Sequence, residues 1–180
     1  MDNGESSYRR FLDGDESAFR EIIDMYSENL IFFINRYVNN ISIAQELSED
    51  VFVEILIHKR RYNFKTSLKT YLFTIGRNKA VSYLRRCARK PEYSYAYIEN
   101  EADRKNLEDE FIRKERENEL HKALGKLNED YRTVLHLVYF EEMSNDEAAK
   151  VMKKNRKQIE NLLYRAKQSL RKEFESEVKL

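Results

Sequence analysis

The sequence predicts an all-α protein: two small helical domains joined by a flexible acidic linker, the second containing a helix-turn-helix. Three observations carry that reading. The 180 residues include only four Gly and a single Pro, so little interrupts a helix. Apolar residues recur every three or four positions from about residue 15 to 90, and again from 112 to 175. Between those stretches, after Pro91, the period is lost and the side chains turn acidic. A hydrophobic fraction of 41% beside a charged fraction of 36% also favours small domains with large surfaces over one thick core. The expected limits are 1–90, a linker over 91–111, and 112–180.

Taken in order, the first helix is expected to start near Asp15, a good N-cap, and to run through Phe19, Ile22, Tyr26, Leu30, Phe33 and Tyr37 to Asn39-Asn40. A second opens at Ser42-Ile-Ala-Gln45, which has capping-box spacing, with Ala44, Leu47, Val51 and Ile55 as its stripe. A connection over Asn63–Ser67 leads to a third helix near 68–88, capped by Thr66 or Ser67. On a helical wheel Leu72, Phe73, Gly76, Ala80, Leu84 and Cys87 take the packed side. Thr70, Thr74, Arg77, Asn78, Val81 and Arg85 take the other. In the linker, a short strand over Tyr93–Ile98 is the competing reading, but no second strand follows to pair with it.

The second domain starts with a helix over Phe111–Leu124. Another is capped by Asn128 and carries Tyr131, Val134, Leu135 and Val138. Ser144-Asn-Asp-Glu147 is a capping box that opens a short helix with Ala148, Ala149, Val151 and Met152 inside. After the turn Lys153-Lys154-Asn155 comes a long helix from Arg156 to about Glu175. Ile159, Leu162, Leu163, Ala166, Leu170 and Phe174 line one side of it. A short helix, a three-residue turn and a longer basic helix are helix-turn-helix proportions. Lys157, Asn161, Tyr164 and Gln168 lie opposite the apolar stripe, flanked by Arg156 and Glu160, and are of the types that reach base edges and phosphates.

Charge is segregated along the chain. Lys59 to Lys90 contains eleven Lys or Arg and no Asp or Glu, with Tyr62, Phe64, Tyr71, Phe73 and Tyr83 interspersed. The formal net charge of the whole is only +1, because acidic blocks flank this one. Positive charge holds phosphates, and aromatic rings accept unstacked bases, so the block points to nucleic acid, including single strands. The acidic blocks suit a basic protein partner or solubility.

In their order and spacing, these segments resemble a sigma factor of the sigma-70 superfamily, in the small two-domain extracytoplasmic-function (ECF) group. Gly14-Asp15-Glu-Ser-Ala18-Phe19 matches the family's opening. The run from Ala44 to Phe52 is similar to its polymerase-docking helix, and Phe64 through Asn78 to the segment that melts and reads the −10 element. Leu124-Gly-Lys-Leu127, Ser144–Ala149 and Tyr164-Arg165-Ala166 are similar to the domain that reads the −35 element. The chain departs from the family in having Tyr71 where Trp is usual, Ser82 where Asp is common, Glu49 for Gln, and Lys153-Lys154 at the turn.

The resemblance implies three sets of site residues. Glu46, Glu49, Asp50, Phe52 and Glu54 would meet core RNA polymerase. Tyr62, Phe64, Lys65, Thr70, Tyr71, Thr74, Arg77, Asn78, Arg85 and Arg86 would hold the melted non-template strand at −10, an extruded base entering near Tyr62, Phe64 and the 65–70 connection. Asn155, Arg156, Lys157, Glu160, Asn161, Tyr164, Arg165 and Gln168 would read the −35 duplex. It also implies promoter DNA and an anti-sigma factor as partners.

No cofactor, metal or small-molecule substrate is expected. His58, His121 and His136 have no ligand spacing to Cys87, and there is neither a Gly-rich phosphate loop nor a nucleophile–base arrangement, so the chain does not read as an enzyme. Cys87 falls on a packed face, which suits a structural thiol, with His136 a half-buried packing residue. A single Cys, a polar acidic N-terminus and the lack of any apolar run near 20 residues predict a cytoplasmic protein with no membrane span. Two other classes compete: a stand-alone helix-turn-helix regulator of duplex DNA, normally a symmetric dimer, and an RNA-binding helical protein.

Overall fold

The computed structural model describes residues 4–89 and 123–177, with side chains through Glu173. The acidic linker and most of the helix expected over 111–124 lie outside the described residues. The chain divides into two compact units, one carrying the first four helices and the other most of the residues described from 123 onward.

In the first unit, α1 (Glu5–Leu12), α2 (Glu16–Val38), α3 (Ile41–Ile57) and α4 (Leu68–Arg89) follow one another, with a single 3-10 turn at Lys59–Arg61. Asp15 caps α2 as expected, its Oδ1 accepting the N–H groups of Ser17 and Ala18 at 3.0 and 3.4 Å. Hydrogen bonds from the Ser17 hydroxyl and the Arg10 guanidinium hold its carboxyl down at about 2. Asn39, left-handed at φ 49°, ends the helix. Two expectations need correction. An eight-residue helix, α1, precedes Asp15, and it seats Tyr8 and Phe11 in the core. The second helix also starts earlier than the Ser42 box, because Asn40 is the residue whose side chain accepts from Ile43 N–H, at 3.1 Å.

α2 is the central element, contacting α1, α3 and α4. Ile22, Leu30, Phe33 and Ile34 of α2, Val51 and Ile55 of α3, and Leu68, Leu72 and Phe73 of α4 are all but inaccessible to solvent. Gly76 sets the approach of α4 to α2. A Cβ there would sit 2.9 Å from Leu30 Cδ1 and 3.4 Å from Ile34 Cδ1.

In the second unit, Asn128 caps α5 (Glu129–Leu135), its Oδ1 accepting from Tyr131 N–H at 2.9 Å. The helix then widens into a π turn over His136–Phe140. His136 is fully buried rather than half-buried, its Nε2 3.3 Å from the equally buried Glu141 carboxylate. The Ser144 box forms reciprocally: Glu147 N–H to Ser144 Oγ at 3.3 Å, and Ser144 N–H to Glu147 Oε2 at 3.0 Å. It opens α6 (Asn145–Met152), and α7 (Arg156–Glu177) follows the turn. Lys153 takes a left-handed conformation at φ 54°, with Lys154 N–H reaching back to Ala149 carbonyl at 2.9 Å. A non-Gly residue there is strained, by roughly 1 kcal/mol. Lys154, where an apolar residue is common, pairs with Asp130 at 3.1 Å.

The seat of α4 yields a stability prediction. Gly76→Ala gains about 1 kcal/mol of helix propensity but overpacks a filled site, which costs roughly 1–3 kcal/mol. A net loss of about 1 kcal/mol is expected in urea unfolding. A stabilised variant would show that Leu30 can yield.

Candidate nucleic-acid and polymerase interfaces

The loop between α3 and α4 is shaped by side-chain hydrogen bonds. Asn63 Oδ1 accepts from Lys65 N–H at 3.1 Å, and Phe64 is turned into the left-handed region at φ 59°. Ser67 Oγ accepts from Thr70 N–H at 3.3 Å, capping α4. Tyr62 donates its hydroxyl to the Thr66 carbonyl at 2.7 Å, closing the loop on itself.

Aromatic rings underlie that loop. Tyr62 lies 5.0 Å from Tyr8, 4.6 Å from Phe64 and 5.1 Å from Tyr71, centroid to centroid. Burial, with the nearby Glu5 carboxylate second, raises the Tyr62 phenol well above its ordinary value; burial does the same for Tyr8. Burial, then Glu54, also raises Tyr71.

The structure differs from the sequence reading at three residues named for these sites. Tyr62 is 3% exposed, Thr70 1% and Phe52 6%, so none of the three presents its side chain outward. Each is engaged inside: Tyr62 by the ring cluster, Thr70 by Ser67 across the first turn of α4, and Phe52 by the core. Phe64 and Tyr71 remain half-exposed and Lys65 is exposed. Along α4, Thr74, Arg77 and Asn78 are half-exposed and Arg85 is exposed, on the side away from Phe73, Gly76 and Ala80. Thr74 turns its hydroxyl back to the Thr70 carbonyl at 2.7 Å. Arg86 leaves this stripe. It lines a groove of about 440 Å³ between α3 and α4, with Glu46, Asp50, Tyr83 and Cys87.

On α3, Glu46, Glu49 and Asp50 are exposed. Glu54 turns toward α4 instead, its carboxylate 3.0 Å from Lys79 Nζ and 4.0 Å from Arg61. Sequence reasoning missed Val53, Leu56 and Ile57, which are 49%, 50% and 66% exposed. The signal was available: six of the seven residues from Val51 to Ile57 are apolar, more than the three that the core takes. An acidic and apolar strip along one helix has the chemistry that suits a basic partner with an apolar component.

In the second unit, Asn155 caps α7 in a reciprocal pair with Gln158, both bonds 2.8 Å. Arg156 bonds Glu160 at 3.0 Å along the helix and Asp146 of α6 at 3.1 Å, tying the two helices together. Lys157, Asn161, Tyr164, Arg165 and Gln168 are all exposed, while Ile159 and Ala166 are buried. Among the described residues, no group of three or more His, Cys, Asp or Glu could hold a metal, and no helix is long and apolar enough to cross a membrane.

Two family models match the chain: sigma-70 region 2 over residues 22–90 and sigma-70 region 4 over 117–170. The chain belongs to the sigma-70 superfamily. Its relatives place it in the ECF group. The ECF RNA polymerase sigma factor SigW of Bacillus subtilis is 24% identical over 89% of this chain and 91% of its own length. The RNA polymerase sigma-H factor of Pseudomonas aeruginosa is 26% identical over 88% and 87%. Among solved structures, the sigma factor RpoE of Bartonella quintana, in complex with the anti-sigma factor NepR, shares the fold. Its TM-score is 0.70 at 22% identity, covering 87% of this chain and 96% of that one. The protein is therefore a sigma factor, the subunit that brings core RNA polymerase to promoters. A stand-alone regulator would account for the region 4 match but not for region 2.

Burial separates the roles of neighbouring aromatic residues. Tyr62→Phe is expected to cost about 1–2 kcal/mol in urea unfolding, because it strands the Thr66 carbonyl, while leaving single-strand affinity of the polymerase complex unchanged. Phe64→Ala is expected to weaken that affinity by roughly 1–3 kcal/mol, measured by fluorescence anisotropy.

Proposed function

We propose that three surfaces divide the work of this sigma factor. The domain reading assigns residues 1–90 to polymerase docking and the −10 element, and 112–180 to the −35 element. Within the first domain, the exposed side of α3, with Glu46, Glu49, Asp50 and the apolar Val53, Leu56 and Ile57, meets core RNA polymerase. Charge there sets orientation and on-rate, and the apolar residues supply buried area.

The outer side of α4 and the adjoining loop hold the melted non-template strand. The supporting observation is that α4 is split lengthwise. Leu72, Phe73, Gly76 and Ala80 are buried, and the opposite side offers Thr74, Arg77, Asn78 and Arg85 beside Lys65 and Phe64. No acidic residue occurs from Lys59 to Lys90 to oppose a phosphate backbone. Arg77, Arg85 and Lys65 serve the backbone, and Phe64 and Tyr71 take an unstacked base. In the second domain, Lys157, Asn161, Tyr164, Arg165 and Gln168 face the −35 major groove. Arg156, Glu160 and Asn155 hold the reading helix in place as well as facing the DNA.

The protein carries out no catalytic step of its own. It works in the cytoplasm, where the polymerase is. The RpoE neighbour is captured with an anti-sigma factor, and an anti-sigma partner that covers these surfaces until a signal arrives suits this chain too.

The test is transcription by the reconstituted holoenzyme from a library of genomic fragments, with strand opening followed by permanganate. Wild type should open a shared pair of elements. Arg77→Ala with Arg85→Ala should reduce opening while duplex binding persists. Asn161→Ala or Lys157→Ala should weaken −35 recognition by roughly 1–3 kcal/mol. Unchanged opening in the arginine pair would remove that side of α4 from the reading.

A further inference from the structure

Arg9 stands on α1, ahead of the segment that matches sigma-70 region 2, which begins at residue 22. Its neighbour Tyr8 is inaccessible to solvent and donates its hydroxyl to the Lys59 carbonyl at 2.8 Å, so this turn of α1 is pinned to the 3-10 turn that follows α3. The pinning brings Arg9 to the loop. Its guanidinium carbon lies 4.1 Å from the centre of the Phe64 ring. Phe64 itself is held by its left-handed backbone and by edge-on or tilted contacts with Tyr8 at 6.0 Å and Tyr62 at 4.6 Å. Of these three neighbours, Tyr8 and Tyr62 are buried and Arg9 is exposed.

A base that stacks on Phe64 therefore meets Arg9 first. A guanidinium over a half-exposed ring is held weakly, whereas it stacks equally well on the flat face of a base and can donate to that base's acceptor edge. We propose that Arg9 is a specificity-determining residue of −10 recognition. It occupies the stacking place on Phe64 in the free protein, moves outward when an extruded base arrives, and closes the base between guanidinium and ring. The exchange keeps the apolar ring covered in both states. It also places five N–H donors where one base edge must answer them. This rests on the reading of the loop as the −10 site, and it adds to that site a residue from α1.

The experiment is selection of promoters by the holoenzyme from a duplex library randomised across the −10 and −35 segments, for wild type, Arg9→Ala and Arg9→Lys. The expected result is a roughly three- to tenfold loss of base preference at one −10 position in Arg9→Ala, with −35 preferences and core affinity unchanged. Arg9→Lys keeps the charge but not the planar fork, and it should lose the same preference without any change in thermal unfolding. An unaltered preference in both variants, or an equal loss at every position, would overturn the proposal. A wild-type holoenzyme that selects no −10 sequence would instead overturn the reading of the loop, and the proposal with it.

Discussion

The closeness of α4 to α2 is the constraint on which the first unit depends. With no Cβ at Gly76, α4 settles onto Leu30 and Ile34, and the apolar half of the helix disappears into the core. Only then can the other half be given over to arginine, asparagine and threonine. A helix that had to share its outer side with core packing could not carry so many basic residues without self-repulsion in a crowded space. The split is thus a packing result first and an electrostatic one second. The loop before α4 inherits its position from the same seat, since Leu68 and Leu72 fix the first turn that Ser67 caps.

The same geometry joins the two sides of the unit. Lys79 reaches from α4 to Glu54 and toward Asp50 of α3, at 3.0 and 4.0 Å. Glu54 also lies near Arg61 and, second to burial, raises the Tyr71 phenol. A carboxylate that the sequence assigned to the polymerase is therefore held among groups of the side proposed to hold DNA. Lys79 and Glu54 are each partly open to solvent, so the pair contributes little to stability, at most about 1 kcal/mol. Its consequence is positional: it fixes which way Lys79 points, and it leaves Glu46 and Glu49 as the exposed acidic end of the strip proposed to meet the polymerase.

Much of this was legible in the sequence. The long helices announce themselves through apolar stripes and caps: Asp15 before α2, Ser67 before α4, and Asn155 before α7. The Ser144 box is readable from four letters. What escaped depends on contacts distant in sequence. α1 is two turns long, and its buried residues Tyr8 and Phe11 are interleaved with Arg9 and Arg10, which gives too short a period to recognise. Tyr62 looked like a surface aromatic in a basic run, because nothing local shows that Tyr8, 54 positions earlier, covers it. Thr70 sits on the polar side of a helical wheel, yet it is enclosed where the loop folds back over the first turn of α4. Asn39-Asn40 and Ser42 offer rival starts for α3, and the choice falls on Asn40 once Asn39 has turned left-handed.

The most direct test of the account is displacement of a labelled housekeeping sigma factor from core RNA polymerase. Wild-type protein should displace it. A Glu49→Lys, Val53→Asp variant, altered only on the exposed side of α3, should fold normally and fail to do so. No displacement by wild type, or equal displacement by the variant, would contradict the central claim that this side of α3 is where the protein joins the polymerase.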